Sequence, residues 1–288
     1  MTAILIAPFA DFEFMRRALA GVIALALGGA PLGVFLMLRR MSLVGDAMAH
    51  AILPGAAIAF LLSGLNLLAM TLGGLIAGFL VAILAGLLTR VTELKEDASL
   101  AAFYLVSLAL GVAIVSLRGS NIDLLHVLFG NVLALDDPTL LVIAINATVT
   151  VIVLAVIYRP LVMECVDPLF LRSVSGFGGP AHLTFLALVV INLVNGFHAL
   201  GTLLAVGLMI LPAGMARFWA RDVTLMVAVA TLGALLSGYL GLITSFETGI
   251  PAGPAVILVA ALLYAASVLF GSAGGLLWRL FPGRHLEA

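Results

Sequence analysis

Charge is scarce in this chain. Of 288 residues only 9% are charged, thirteen basic and fourteen acidic, against 64% hydrophobic. A soluble domain carries about 25% charged residues, so a chain this poor in them has too little polar surface to face water. Lysine is nearly absent: Lys95 stands alone. A phosphate-cradling loop needs Gly-Lys-Ser/Thr, and Lys95 sits in Glu93-Leu-Lys-Glu-Asp, so the chain carries no nucleotide-hydrolysing motif of that kind. Cysteine is also single, at Cys165, which excludes a disulfide framework and a multi-cysteine metal cluster. The net charge of -1 gives no basic arm, so nucleic acid is not an expected partner. No nucleophile elbow, His-Glu-x-x-His or dinucleotide fingerprint occurs either. Chemistry catalysed within the chain is therefore not expected.

What is abundant is long apolar runs, and the mean hydropathy is +1.30. At about 20 residues per span, the sequence reads as an all-α polytopic membrane protein, one transmembrane domain over residues 1–288. Spans are expected near 15–38, 43–63, 67–90, 98–117, 138–158, 181–198, 201–217, 222–243 and 252–279. Asn195, Gly196 and Gly201 interrupt the sixth and seventh, so eight transmembrane helices is the alternative count to nine. Acids precede Arg16 and Arg17 at the start, the reverse of a cleavable signal, and the stretch reads as a flank of the first span. Ten Arg and Lys residues follow the odd-numbered spans, from Arg39 to Arg284, against Arg16, Arg17 and Arg118 on the other side. That bias places the N-terminus outside and the C-terminus in the cytoplasm.

Two short segments lie between spans. Asp167-Pro168 begins a helix by the Asp-cap, Pro-first rule, followed by Leu169, Phe170, Leu171, Arg172 and Ser173 and ended by glycines from Gly176. It is either a cytoplasmic docking helix or a linker lying on membrane lipid. Residues 121–133 are apolar but too short to span, which suggests an outer re-entrant or interfacial helix.

An ionisable residue inside a span costs several kcal/mol on insertion scales, by about 2.5–3.5 at the centre. The clear case here is Asp46, with His50 one turn later. Their i,i+4 spacing puts carboxylate and imidazole on one face, where they can share a divalent cation. A His–Asp set suits Zn²⁺ or Mn²⁺. A purely structural Asp–His hydrogen bond between helices is the other reading. Small residues surround the pair, Gly45, Ala47, Ala49, Gly55 and Ala56 among them, and allow close helix approach. Asp123, His126, Asp136, Asp137 and Glu247 are candidates for an electronegative outer mouth, and His198 for a gate. His182, His285 and Cys165 read as ordinary. A gradient-driven secondary cation carrier and a structural scaffold are the competing classes.

Six motifs then fall in a recognisable order. They are Gly45-Asp-Ala with Ala49-His-Ala and Leu53-Pro-Gly; Glu96-Asp-Ala-Ser-Leu; and Asp123-Leu-Leu-His-Val-Leu-Phe-Gly. Asp167-Pro with Arg172-Ser, Leu211-Pro-Ala with Ala216-Arg, and Pro251-Ala-Gly-Pro complete the set. Together they resemble the integral membrane permeases of bacterial zinc and manganese ABC importers, the metal-type class 3 permeases. The resemblance implies a permease homodimer in the bacterial cytoplasmic (inner) membrane, served by a cytoplasmic ABC ATPase dimer and an extracytoplasmic metal-binding protein. It implies that Asp167 to Ser173 form the coupling helix and that Asp46 and His50 line the metal path. No permanently bound cofactor is expected, and the cargo the resemblance implies is Zn²⁺, favoured by the available imidazoles, or Mn²⁺. Phe170 and the glycine-rich stretch after Val174 depart from the family pattern, as does Gly196-Phe-His-Ala-Leu-Gly-Thr.

Overall fold

A computed structural model describes residues 2–64, 66–92, 96–117, 132–167, 170–171 and 178–277. Among the described residues there are helices and turns but no strand, as a chain that must satisfy its backbone inside lipid requires. The helices are α1 (Thr2–Asp11), α2 (Glu13–Leu38), α3 (Val44–Ala51), α4 (Leu53–Ser63), α5 (Leu67–Val91) and α6 (Glu96–Leu117). A 3₁₀ turn at Val132–Ala134 precedes α7 (Asp137–Val166), α8 (Gly178–Leu200), α9 (Thr202–Ala216), α10 (Val223–Thr248) and α11 (Ala252–Phe270). Among the described residues seven stretches are long and apolar enough to cross a membrane, with α3 and α4 together counting as one. Two shorter apolar helices, within α6 and α9, complete the expected set of nine segments.

α2 is the central post. Its inner surface is built from small residues, Gly28, Gly29, Ala30 and Gly33, which let neighbours approach its backbone. On one side it packs with α7, α9 and α10, in a core of Val22, Leu204, Leu208 and Ala230 that Val256 of α11 completes. Its C-terminal half, through Leu32, Phe35 and Leu36, joins a second core with α3, α5 and α8, where Val44, Met48, Val81, Phe185 and Val189 are buried. Outer faces carry exposed Leu72, Ile76, Ile152, Val156, Leu258 and Leu262, the arrangement expected where lipid is the solvent. Buried Asn192 is fully engaged: it accepts from Asn146 and donates to Thr150 Oγ1 and the Leu188 carbonyl. That network ties α7 to α8.

Several expected boundaries shift. α7 does not end at residue 158 but runs to Val166, through Arg159 and Pro160. Leu161, fully buried, and Glu164, paired with Arg39, anchor the added turns, so packing overrides the Pro-containing polar break. Asn195 and Gly196 do not interrupt α8; the helix breaks only at Gly201, whose φ of 90° and ψ of 158° suit glycine alone. The last helix stops at Phe270 rather than 279. Gly271 sits against Phe218, and the Ala273 N–H donates to the Phe218 carbonyl (2.8 Å), turning the chain there. The N-terminal flank is helical, as α1, with Phe9 stacked on Tyr239.

α2 ends in a Schellman turn. The Arg40 N–H donates to the Met37 carbonyl (3.0 Å) and the Met41 N–H to the Leu36 carbonyl (2.8 Å). The left-handed position, usually glycine, is Arg40 at φ 61°. Arg40→Gly should therefore be neutral to stabilising, by up to about 1 kcal/mol, read as the midpoint of unfolding in mixed detergent micelles. A clear loss of stability would mean that the Arg40 side chain contributes more than its backbone strain costs.

Candidate metal site

The second span is two helices, and the break between them positions the site. Pro54 lacks an N–H and starts α4, while Ile52 joins the two segments at φ -76° and ψ -26°. The Ser107 hydroxyl of α6 donates to the Ala51 carbonyl (2.8 Å), satisfying a group that the break exposes. Gly55 of α4 and Gly73 of α5 lie in such close contact that a Cβ on either would fall about 2 Å from the other's carbonyl oxygen (2.0 and 2.3 Å). The small residues read from the sequence do serve close approach there.

Asp46, Ala49 and His50 of α3 line a cavity of about 240 Å³, shared with Thr202, Leu203, Val206 and Gly207 of α9 and Ile257 of α11. His50 Nε2 and Asp46 Oδ1 are 3.9 Å apart, too far for a hydrogen bond. Two bonds of about 2.1 Å to one ion would span that gap with little adjustment. The pair lies on one helix, and among the described residues no hydrogen bond joins it to another helix. The Asp46 side chain is 62% exposed and His50 30%. A carboxylate that open on a membrane helix must face water or protein rather than lipid, given its insertion cost. Tyr104 of α6 backs the imidazole, with ring centroids 6.1 Å apart.

The other candidates separate. Asp123 and His126 lie outside the described residues. His198 falls in the last turn of α8, just before the Gly201 break, and its side chain is likewise outside them. Glu247 is exposed near the end of α10 and does not line the cavity. Asp136 is a helix cap: it accepts from the Thr139 N–H (3.2 Å), and hydrogen bonding to Thr139 holds its carboxyl below the usual range. Asp137 pairs with Arg17 (3.1 Å), which also holds Glu13. Both acids are exposed, and one caps a helix while the other ties α7 to α2. Asp167 caps as expected, accepting from the Phe170 N–H (2.9 Å). Phe170 is half-exposed, and Leu171 is buried. Pro168, Leu169, Arg172 and Ser173 lie outside the described residues.

Among the described residues no three His, Cys, Asp or Glu side chains converge. Among the described residues, Asp46 and His50 are the two candidate donors that face the cavity. Sequence reasoning missed the cavity's opposite wall, because Val206, Gly207 and Ile257 have no chemical signature, and Thr202 is one hydroxyl in an apolar run.

A model of the ABC 3 transport family matches residues 11–271. The chain belongs to the ABC 3 transport family. It is 33% identical over 259 residues to the manganese import system permease protein ScaB of Streptococcus parasanguinis, covering 89% of this chain and 90% of that one. It is 27% identical over 278 residues to the manganese transport system membrane protein MntC of Halalkalibacterium halodurans, covering 96% and 94%. Its fold is similar to a chain of PsaBC from Streptococcus pneumoniae, solved in complex with Fab. There the TM-score is 0.84 at 27% identity, covering 98% of this chain and 100% of that chain. The likeness of this ABC 3 family member therefore extends over the whole bundle, including the broken α3–α4 span. The family read from the sequence motifs is the family found.

Proposed function

We propose that this chain is the membrane subunit of an importer that passes a divalent transition-metal ion into the cytoplasm, with Mn²⁺ ahead of Zn²⁺. The observation that carries the reading is the Asp46–His50 pair, 3.9 Å apart on a broken membrane helix and open to a cavity. Family membership supplies the driving force: a separate ATPase dimer, since the chain has no phosphate loop of its own. An extracytoplasmic binding protein delivers the ion, and the segment from Asp167 to Ser173 receives the ATPase movement.

Two donors per chain are too few for a metal that keeps four or more ligands. A homodimer bringing both Asp46–His50 pairs to one axis supplies four, and the 62% exposure of Asp46 leaves room for a facing copy. Carboxylate and imidazole suit Mn²⁺ and Zn²⁺ alike. The sequence leaned to zinc on its imidazoles; the relatives' names, both manganese, support Mn²⁺ instead. The sharing of ligands between subunits also makes the site open and transient, as passage requires. In this reading Asp46 attracts the ion, His50 replaces part of its hydration shell, and closure of the ATPase reverses which side is accessible.

The test is reconstitution of the chain with candidate ATPase and binding-protein partners in proteoliposomes, followed by uptake of radiolabelled Mn²⁺ and Zn²⁺. ATP-dependent Mn²⁺ uptake is expected. A preference for Zn²⁺ by about tenfold or more, which is about 1.4 kcal/mol, would reverse the cargo. Uptake driven by an ion gradient with no ATPase present would replace the importer with a secondary carrier.

A further inference from the structure

A second polar cluster joins three helix ends away from the cavity. Arg39, at the C-terminus of α2, donates from Nη2 to Glu164 Oε2 of α7 (2.5 Å) and from Nη1 to His182 Nδ1 of α8 (2.8 Å). His182 Nδ1 lies 3.5 Å from the other Glu164 oxygen. The guanidinium can only donate, so the imidazole accepts. Phe185 lies under the guanidinium, with its ring centroid 4.7 Å from Cζ. The Arg39 side chain is 7% exposed, which makes this an inward-facing clasp rather than a surface pair.

The sequence positions of the three residues give the clasp its meaning. Glu164 stands three residues before Asp167, whose carboxylate caps the proposed docking segment. His182 stands in the first turns of α8, the helix that follows that segment in sequence. Arg39 thus joins the helix that precedes the segment in sequence to the helix that follows it. On its own strand of sequence, Arg39 leads through the Schellman turn to Met41, whose carbonyl accepts from the Val44 N–H (3.0 Å) at the start of α3. Met41 and Val44 are buried, and Asp46 follows two residues later. A short hydrogen-bonded corner therefore separates the clasp from the helix that bears the candidate ligands.

Stability alone is a poor reason for such an arrangement. Desolvating an ion pair offsets much of its attraction, and apolar residues of similar volume often serve as well or better. Arg39 Nε is moreover buried without a hydrogen-bond partner among the described residues. What a guanidinium fork supplies is fixed distance and orientation to two partners at once. We infer that Arg39 is a positioning residue that carries movement of the docking segment to α3, so that the orientation of Asp46 and His50 follows the ATPase. The inference rests on the permease reading above.

The experiment measures ATP hydrolysis and Mn²⁺ uptake in the same proteoliposomes, containing chain, ATPase and binding protein. Arg39→Met keeps a stem over Phe185 and removes the fork, but leaves Glu164 buried alone. The double variant Arg39→Met/Glu164→Met removes that stranded carboxylate as well and guards against simple misfolding. The expected result is assembly and ATP hydrolysis within about twofold of wild type, with ions moved per ATP lower by about tenfold, inside the usual range of coupling effects. An unchanged ratio in the double variant would overturn the proposal. So would hydrolysis and uptake falling together, or loss of assembly in both variants, since each assigns the cluster to structure only. Failure of the wild type to take up ion with ATP would instead strike the permease reading, and is recognised by its appearance without any substitution.

Discussion

Asp46→Asn and His50→Ala should each lower ATP-dependent Mn²⁺ uptake on the order of 100-fold while leaving the fold intact. The size follows from dividing a metal site's free energy among its ligands. A closed four-ligand zinc site is worth about 10–16 kcal/mol, hence roughly 3 kcal/mol per ligand. A transient transport site binds more weakly, and a loss of about 2.7 kcal/mol per ligand corresponds to the 100-fold stated. If the pairs of two subunits share one ion, each substitution removes two ligands, so this is a lower figure. The intact fold follows from geometry. Asp46 and His50 are 3.9 Å apart and make no hydrogen bond to each other, so neither substitution breaks one between them. Thermal or detergent unfolding should move by no more than about 0.5 kcal/mol, as for other substitutions away from packed features. The opposite pattern, normal uptake with reduced stability, would return the pair to a structural role. Normal uptake with normal stability in both variants would move the ion path elsewhere in the bundle.

The proposed site was legible in the sequence because lipid makes one residue conspicuous. A carboxylate inside an apolar run needs a reason, and the histidine a turn later with Pro54 behind it provides one. The nine helical segments were legible for the same reason, each being an apolar run between breaks. Misreadings arose where a local signal met a distant partner. Arg159-Pro160 reads as the end of a span, yet α7 continues because Glu164 meets Arg39, 125 residues away in sequence. His182 read as ordinary, and its contact with Arg39 spans 143 residues. Asp136 and Asp137 carry partners that the sequence did not announce: one caps a helix, and the other meets Arg17, 120 residues away, on the neighbouring α2. No spacing rule announces partners so far apart. The apolar cavity wall is silent for a different reason: Val206, Gly207 and Ile257 differ from lipid-facing residues only by position.

Position also separates two glycines that the sequence cannot tell apart, and Gly33→Ala and Gly86→Ala should act in opposite directions. A Cβ at Gly33 would lie 1.8 Å from the Met209 carbonyl oxygen and 2.8 Å from its carbon. Both are backbone atoms, so no rotamer change relieves the overlap; α2 and α9 must separate. Overpacking a core costs about 1–3 kcal/mol when side chains can yield, and a backbone-to-backbone clash at the central post should reach about 3 kcal/mol or more. The same displacement moves the cavity wall, because Val206 and Gly207 lie on the α9 turn preceding Met209. Gly33→Ala should therefore reduce both stability and uptake. At Gly86, on α5, a Cβ meets nothing within 4 Å. Replacing glycine by alanine in a helix interior gains up to about 1 kcal/mol, so Gly86→Ala should unfold at the same or higher detergent fraction than wild type and transport normally. Fluorescence-detected size exclusion after a heating series would rank the three proteins. A Gly33→Ala protein as heat-resistant as wild type would mean that α2 and α9 do not pack at the distance described, and the cavity facing Asp46 and His50 would have to be redrawn with them.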